Sequence, residues 1–201
     1  MVPVTASRES VETHSTHNPV GIRACLAADI ALARRQREGR LLPYFFPSIF
    51  AVVMYRVAHA LGRRRATIPA RAVMIVAQLL TGAEIDWRAQ IGPGLFLEHP
   101  VGVVVGDGVV AGSNLVLGAA ALLGANSFYQ SRTRPKVGFP TLGDDVFVFA
   151  KASIIGPVEV GDRAVIGAHA LVLANVPADA VARGVPAKSY VDGQQLSKGL
   201  T

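Results

Sequence analysis

The sequence has a single cysteine, Cys25, among 201 residues. A disulfide framework and a thiolate zinc site within the chain are therefore excluded. Aromatic residues make up only 6%, and no basic stretch is interleaved with them as in a surface for single-stranded nucleic acid. Charged residues account for 17% and hydrophobic residues for 51%. Disordered chains are far more polar, so we expect a folded protein. Because it lacks a basic surface with stacking aromatic rings, we expect no nucleic-acid partner.

A long uninterrupted apolar run is also missing. The most apolar stretch, residues 41–61, contains two prolines, an arginine and a histidine, so no transmembrane span is expected. Residues 1–20 are polar and lack the apolar core of a secretory signal, and we expect a cytoplasmic protein. The five histidines show no ligand spacing, so no metal site is expected. The net charge of +6 favours an anionic partner such as nucleic acid, a membrane surface or a phosphorylated cosubstrate, and composition alone does not choose among them.

The chain divides into four segments by composition. Residues 1–20 are expected to form a flexible tail, and residues 21–82 a helical region with helices over 22–38, 47–62 and 69–80. Residues 83–191 are rich in Gly, Val, Ile and Ala, and residues 192–201 form a C-terminal tail. The apolar faces of the helices exceed what a short helical hairpin needs, which indicates packing against another subunit.

The strongest pattern is a repeat of six residues in the C-terminal part. Apolar residues recur at every sixth position on two ladders, and glycine follows many of them. A period of six fits neither a helix nor a strand alternation. We interpret each hexapeptide as one side of a triangular coil of about 18 residues, with the apolar residue pointing inward. The ladders are Val105, Ala111, Leu117 and Leu123, then Leu142, Val148, Ile154, Val160, Ile166 and Val172, preceded by the pair Ile85 and Ile91.

The ladders are out of phase at two places. The step from Ile91 to Val105 exceeds two hexapeptides by two residues, and the step from Leu123 to Leu142 exceeds three by one. Regular coils cannot absorb extra residues, so we expect a bulge near residues 97–104 and a loop over 127–140. In repeat proteins such departures from regularity are where function is usually placed.

Five segments resemble the serine O-acetyltransferases among the hexapeptide-repeat acyltransferases. The resemblance covers about residues 22–191. It implies a mainly β fold, a left-handed parallel β-helix preceded by a short N-terminal α-helical region. It also implies an acetyl-CoA-dependent O-acetyltransferase that forms a homotrimer, or two such trimers paired, with acetyl-CoA bound between adjacent β-helices. The segments are RVAHAL (56–61), TGAEI (81–85), IGPGLFLEHP (91–100), GVVVG (102–106) and GVPAK (184–188).

The resemblance assigns the catalytic roles to His99 and Glu84. His99 lies inside a phase break, and the matching histidine of the family deprotonates the acceptor hydroxyl, as an imidazole can near neutral pH. Glu84 matches an aspartate that orients this histidine and stabilises the imidazolium. Glu84 is one methylene longer than aspartate, and Asp86 is a nearby competitor for the role. Without the resemblance, the residues favour a surface or structural histidine at position 99.

The acceptor pocket departs from the family's pattern. Glu98 replaces an aspartate that contacts the amino-acid substrate, and an Arg-His-Pro segment that grips the serine carboxylate is replaced by residues 138–140, Gly-Phe-Pro. An Asp-Pro-Ala segment that binds the serine amine is also missing. Since a bidentate arginine is hard to replace, we expect a non-serine acceptor, either a sugar, a polysaccharide unit or a biosynthetic intermediate. Phe139, Arg132 and Arg134 are expected to line its pocket.

The cosubstrate, acetyl-CoA, is expected to lie along the C-terminal coils and to contact mainly backbone groups and lysines. Two alternatives stay open: a serine acetyltransferase whose clamps are rebuilt from other residues, and an inactive hexapeptide protein that serves as a scaffold. The residues that match the family's CoA-binding positions are Gly124, Ala125, Asn126, Ala150, Lys151, Gly167, Ala168 and Lys188.

Overall fold

A computed structural model describes residues 21–36, 45–126 and 138–195 of the chain. Three helices come first: α1 (Ile22–Gln36), α2 (Phe45–Arg63) and α3 (Thr67–Thr81). α2 and α3 each begin two residues before the predicted helix and end one residue after it. α3 ends at Gly82, which adopts a left-handed conformation (φ 73°) and donates its N–H to the Gln78 carbonyl at 2.8 Å.

Sixteen short strands follow within the described residues. They are β1 (Glu84–Ile85), β2 (Gln90–Ile91), β3 (Phe96–Leu97), β4 (Val104–Val105), β5 (Val110–Ala111), β6 (Val116–Leu117), β7 (Leu122–Gly124), β8 (Thr141–Leu142), β9 (Phe147–Val148), β10 (Ser153–Ile155), β11 (Glu159–Val160), β12 (Val165–Ile166), β13 (Leu171–Val172), β14 (Val181–Arg183), β15 (Lys188–Val191) and β16 (Gln194–Gln195).

The strands form three sheets that are the three sides of a coil. The first side is ordered β1-β4-β7-β10-β13, the second β2-β5-β8-β11, and the third β3-β6-β9-β12-β14. Within these sides every pairing is parallel, and β15 and β16 extend the third side by antiparallel pairing. From β1 to β13 each paired strand therefore lies three places further along the chain, which is the connectivity of a parallel β-helix, and β12 pairs with β14, two places further.

Strand register locates the irregular coils. Val105 pairs with Leu123 and Ile154 pairs with Val172, so these coils contain eighteen residues each. Ile85 pairs with Val105, two residues beyond the regular spacing, and Leu123 pairs with Ile154, thirteen residues beyond it. The first excess lies between β3 and β4 and the second between β7 and β8, where the sequence predicted a bulge and a loop.

The interior of the coil is a dry column of apolar side chains. The residues predicted to point inward are buried: Leu117, Leu123, Val148, Ile154 and Ile166 are all about 0% exposed. A second inward row lies two residues before the first, and the sequence analysis missed it. Burying each Val, Leu or Ile contributes about 1.5–3 kcal/mol, so the stacked rows are the main source of stability. The second row contains Val103, Val109, Leu115, Ala121, Val146, Ala152, Val158, Ala164 and Ala170.

The open end of the first coil is covered by α2. Tyr55 packs with Ala51 and Val52 into the same core cluster as Ile85 and Ile91. Its hydroxyl donates to the Ala89 carbonyl at 2.8 Å and accepts the Ile91 N–H at 3.3 Å. Burial raises the pKa of Tyr55 to about 12, so this hydroxyl remains protonated and keeps both bonds.

A buried ion pair between α1 and α2 joins these two helices to the first coil. The Arg56 guanidinium makes two bonds to the Asp29 carboxylate, each 2.9 Å, and donates to the carbonyls of Ile91 (2.6 Å) and Gly92 (2.7 Å). Asp29 in turn accepts backbone N–H groups of Gly94 and Leu95 at 2.9 and 2.7 Å. Both residues are only 4% exposed. The pair therefore fixes α1 and α2 against the turn that leads into β3.

Candidate active site

Two edges of the coil carry the predicted site residues. We call the turns from the third side to the first side the 3–1 corner, which contains residues 98–103, 118–121, 149–152 and 167–170. The turns from the first side to the second form the 1–2 corner, which contains residues 86–89, 106–109, 125–126, 138–140 and 156–158 among the described residues. Successive turns of one corner stack about 4.8 Å apart, so each corner is a column that runs along the molecule.

His99 is exposed on the irregular turn of the 3–1 corner. The turn is held on both sides: the N–H of Glu98 donates to the Leu117 carbonyl at 2.8 Å, and the N–H of Gly102 donates to the Gly82 carbonyl at 2.9 Å. Between these anchors the two extra residues bulge outward, and they bring Glu98 and His99 to the surface. An exposed imidazole on a fixed backbone can accept and return a proton from a bound hydroxyl.

Glu84 lies beside this turn. Its N–H donates to the Val103 carbonyl at 2.8 Å, so β1 brings Glu84 to the same edge as His99. Its carboxylate accepts a hydrogen bond of 3.0 Å from the Gln78 side chain of α3. Glu84 therefore lies next to the turn that carries His99, and the last turn of α3 orients its carboxylate.

Asp86, the competitor for that role, lies at the other corner. The Asp86 carboxylate accepts a hydrogen bond of 2.8 Å from the backbone N–H of Arg88. It also accepts two hydrogen bonds, of 3.0 and 3.1 Å, from the Arg88 guanidinium. Burial raises the pKa of Asp86, but the hydrogen bonds from Arg88 outweigh it and the net pKa is lowered. Asp86 is a charged partner of Arg88 at the 1–2 corner, which leaves Glu84 as the carboxylate beside the His99 turn.

Five of the predicted donor-binding residues continue the column that begins at His99. The N–H of Ala120 donates to the Val101 carbonyl (3.0 Å), that of Lys151 to Ala119 (2.7 Å) and that of His169 to Ala150 (3.1 Å). Two coils therefore separate His99 from Lys151, and three separate it from Gly167 and Ala168. The C-terminal segment lengthens the column, since the Ala187 N–H donates to the Leu171 carbonyl at 2.7 Å and Lys188 follows.

The column is narrow because its turns stack closely. A Cβ on Gly118 would lie 2.6 Å from the Ala150 backbone nitrogen, so only glycine fits between these coils. Gly118 itself is buried against Ala150, whereas Ala119 and Ala120 beside it are half-buried and Lys151 is exposed. The surface between His99 and Lys151 is therefore a strip of backbone and small side chains.

Gly124, Ala125 and Asn126 lie at the 1–2 corner, apart from His99 in the same chain. The Asn126 side chain accepts the Gly138 N–H at 3.2 Å and so closes the base of the loop predicted over 127–140. One side of the coil is six residues long, which separates the two corners by up to about 20 Å. A single chain therefore does not bring these three residues to His99.

Phe139, predicted to line the acceptor pocket, also lies at the 1–2 corner. Its ring covers Gly106 and Gly108 of the preceding coil, and a Cβ on Gly106 would lie 2.5 Å from it. The half-buried ring packs against the main core cluster. Arg132 and Arg134, the other predicted pocket residues, lie outside the described residues.

The sequence analysis did not detect the Asp29–Arg56 pair. The available signal was one arginine and one aspartate in otherwise apolar segments of α2 and α1, where an ion pair is the usual way to bury a charge. His59 on α2 packs against the first coil, where its Nδ1 lies 2.8 Å from the Trp87 carbonyl. Burial lowers the pKa of His59, consistent with a neutral packing residue.

In the part of the chain that the structure describes, no three His, Cys, Asp or Glu side chains are grouped as metal ligands. Over the same residues, no helix combines the length and apolarity needed to cross a bilayer.

Comparisons with known proteins point in one direction. The pattern of the bacterial transferase hexapeptide family (six repeats) matches residues 139–174. The serine acetyltransferase of Helicobacter pylori (strain J99) is 39% identical over 157 residues, which cover 78% of this chain and 87% of that protein. The crystal structure of Neisseria gonorrhoeae serine acetyltransferase in complex with serine is 28% identical with a TM-score of 0.75, over 85% of this chain and 69% of that one. A serine acetyltransferase in complex with CoA is 29% identical with a TM-score of 0.75, over 84% and 69%.

The similarity confirms the predicted fold class. The parallel sheets and the preceding short helices form the left-handed β-helix that the resemblance implied. The hand could not come from the general right-handed rule for parallel crossovers, which hexapeptide coils violate.

Proposed function

This chain belongs to the serine acetyltransferase family of hexapeptide-repeat acyltransferases, and from that membership we propose that it transfers the acetyl group of acetyl-CoA to the hydroxyl of serine. The observation that carries the proposal is the 39% identity to a serine acetyltransferase over 87% of that protein's length. Family membership also identifies the chain as an acetyl-CoA-dependent acyltransferase, which disfavours the alternative of an inactive scaffold.

The expectation of a non-serine acceptor is wrong. It rested on the loss of two groups that bind the charged ends of serine, whereas the similar proteins are serine acetyltransferases throughout. The error was to assume that the serine carboxylate can be bound only by a cation at one position of the sequence. A carboxylate is bound by any cation that reaches it, so glycine and phenylalanine at positions 138 and 139 exclude only one way of binding serine.

We assign the chemistry to the 3–1 corner. His99 accepts the proton of the serine hydroxyl while the hydroxyl oxygen attacks the thioester carbonyl carbon. The carbon–sulfur bond then breaks, and the imidazolium returns the proton to the CoA thiolate. Glu84 stabilises the imidazolium through its negative charge, so it acts as a positioning residue. The products are O-acetylserine and CoA, and every proton is accounted for by one histidine.

The donor runs along the column from His99, with Ala150, Lys151, Gly167, Ala168 and Lys188 beside it. We propose that a threefold assembly supplies Gly124, Ala125 and Asn126 from the 1–2 corner of a neighbouring subunit, because one chain keeps the two corners apart. The same arrangement would bring the base of the 127–140 loop to the acceptor. Arg132 and Arg134 are then the candidates for the serine carboxylate, and Glu98 for its ammonium group; these roles stay predictions.

Serine turnover tests the proposal directly. With acetyl-CoA and L-serine, the purified protein is expected to release free thiol and to form O-acetylserine, identified by mass spectrometry. The panel of competing acceptors should contain homoserine, threonine and simple sugars. Thiol release that depends on a sugar and not on serine would reject the assignment.

Substituting Glu84 by glutamine is expected to lower kcat by about 10- to 100-fold, equivalent to ~1.4–2.7 kcal/mol in the barrier. The glutamine keeps the size and the contact with Gln78 but removes the charge that stabilises imidazolium. The acidic limb of the pH–rate profile should also move to lower pH, which a purely structural role would not produce. Glu159→Gln, on an exposed strand of the second side, is the matched control. An unchanged profile in Glu84→Gln would remove Glu84 from the mechanism.

A further inference from the structure

An ion-paired arginine lies at the 1–2 corner of the first coil. The Arg88 guanidinium donates from Nε to one oxygen of the Asp86 carboxylate at 3.0 Å and from Nη2 to the other at 3.1 Å. Nη2 also lies 3.0 Å from Oδ2 of Asp107 in the next coil. These contacts use Nε and Nη2, so Nη1 is the nitrogen that can bind a further carboxylate. The side chains of Arg88 and Asp107 are 52% and 38% exposed, so solvent reaches both charges of this pair.

The turn that carries Arg88 is fixed on α2. The ring of Trp87 packs so closely against Gly62 that a Cβ on that glycine would overlap it. On the other side of Arg88, the Ala89 carbonyl accepts the Tyr55 hydroxyl at 2.8 Å. Because the backbone is held before and after Arg88, the guanidinium is presented from a rigid element and not from a loose loop.

Arg88 and Asp107 lie at the height of His99 along the coil axis. The His99 turn follows the turn 86–89 along the chain and precedes the turn 106–109, so its height lies between those of these two turns. The ion pair of Arg88 and Asp107 joins these same two turns. A threefold axis parallel to the coil leaves the height of every residue unchanged. In the threefold assembly proposed above, the pair on one subunit therefore faces His99 of the next subunit.

Asp107 also lies against a residue that was predicted to line the acceptor pocket. The Phe139 ring covers Gly106 and Gly108, which are the two neighbours of Asp107 in the chain. The Arg88 guanidinium approaches Asp107 from the preceding coil. An anion, a cation and an aromatic ring therefore meet at one place on the 1–2 corner.

We propose that Arg88 and Asp107 bind the charged ends of serine in the active site of the neighbouring subunit. Nη1 of Arg88 binds the serine carboxylate, and Oδ1 of Asp107 accepts the ammonium group. A cation beside an anion matches both charges of a zwitterion, and Asp86 holds the guanidinium through two charge-assisted hydrogen bonds. The inference rests on the proposed function and names the residues that would select a free α-amino acid.

Serine analogues test each contact separately. Ethanolamine has the hydroxyl and the ammonium but no carboxylate, and 3-hydroxypropanoate has the hydroxyl and the carboxylate but no ammonium. Arg88→Gln is expected to lower kcat/KM for serine by about 10- to 100-fold, the usual effect of losing a hydrogen bond between charged groups. The same variant should leave kcat/KM for ethanolamine nearly unchanged. Asp107→Asn should lower kcat/KM for serine to a similar extent and leave that for 3-hydroxypropanoate nearly unchanged.

The matched control is the exposed ion pair of Arg163 and Asp179 on the turns from the second side to the third. Arg163→Gln and Asp179→Asn make the same chemical changes and should leave kcat/KM for all three acceptors unchanged. Arg132→Gln with Arg134→Gln tests the competing cations of the 127–140 loop. Loss of the preference for serine over ethanolamine in that variant, and not in Arg88→Gln, would overturn the inference.

Mixed assemblies test the contribution of the neighbouring subunit. His99→Asn and Arg88→Gln chains with different affinity tags are co-expressed, and assemblies that carry both tags are purified. If each site takes His99 from one subunit and Arg88 from the next, about one site in three of every mixed trimer has both residues intact. These assemblies should therefore acetylate serine with about a third of the wild-type kcat/KM, well above either parent variant.

A mixed assembly with kcat/KM for serine no higher than that of its parents would overturn the inference. An equal loss of serine turnover in Arg163→Gln would overturn it as well. Either result leaves serine acetylation by the wild type standing, whereas a wild type that does not acetylate serine would reject the proposed function and this inference together.

Discussion

Replacing His99 by asparagine is expected to reduce kcat by about 10²–10⁴-fold, the range that general-base catalysis contributes. Asparagine fits the exposed turn and keeps a polar side chain, but its amide cannot accept the proton of the serine hydroxyl. The Michaelis constants for serine and acetyl-CoA should change little, since the imidazole acts mainly in the transition state. Steady-state thiol release at saturating acetyl-CoA measures kcat. Thermal unfolding measures the melting temperature and shows whether the variant is folded.

The control is His169→Asn. His169 is exposed on the same 3–1 corner, three coils from His99, with φ of 59°, and asparagine tolerates that conformation. The two variants thus make the same chemical change on the same column. Comparable kcat values for His99→Asn and wild type, in a protein with an unchanged melting temperature, would refute the mechanism.

Removing the Asp29 carboxylate is expected to cost about 3–5 kcal/mol of folding stability, the usual effect of leaving one member of a buried pair alone. In Asp29→Ala the Arg56 guanidinium would stay buried without its counter-ion, and the N–H groups of Gly94 and Leu95 would lose their acceptor. Urea unfolding at fixed protein concentration, which matters for an oligomer, should show this as a large drop in the midpoint.

A double variant separates the two causes. Asp29→Leu with Arg56→Met removes both charges and should recover a large part of the loss, because a well-packed apolar pair often replaces a buried ion pair. Asp179→Asn breaks the exposed Arg163–Asp179 pair at 2.6 Å and is expected to leave the midpoint unchanged. If Asp29→Ala were as stable as Asp179→Asn, the pair would not be what fixes the helices to the first coil.

The hexapeptide periodicity predicted the coil, its inward residues and both irregular turns. Those features are local, since the interval from Leu117 to Leu123 determines which residues point inward whatever the rest of the chain does. The buried pair was missed because Asp29 and Arg56 are far apart in sequence and belong to helices whose packing direction the periodicity does not give. The row containing Val103 and Ala121 was missed because the sixfold pattern was followed at one position of each hexapeptide, whereas two positions point inward.

The candidate site was predicted unevenly. His99 lies on an irregular turn, as the phase break indicated, whereas its catalytic role and the donor contact of Lys151 stay predictions. Counting six residues per side would have shown that Asn126 belongs to another corner. The acceptor prediction failed because it argued from a few departures from the family's pattern, at positions 98, 138 and 139 and in the missing Asp-Pro-Ala segment. Identity over most of the chain to serine acetyltransferases carries more information about the acceptor than those few positions.

The stacking of the 3–1 corner sets the distance between His99 and Lys151 in units of one coil. Each coil of eighteen residues adds one strand spacing, about 4.8 Å, to the distance between His99 and Lys151. The distance from His99 to Lys151 therefore changes only in steps of one whole coil. Excising residues 106–123 would leave inward and outward positions in phase and bring Lys151 one step nearer to His99. On the proposed assignment, gaining or losing a coil would change the length of donor that spans His99 and Lys151 and leave the turn of the proposed base unchanged.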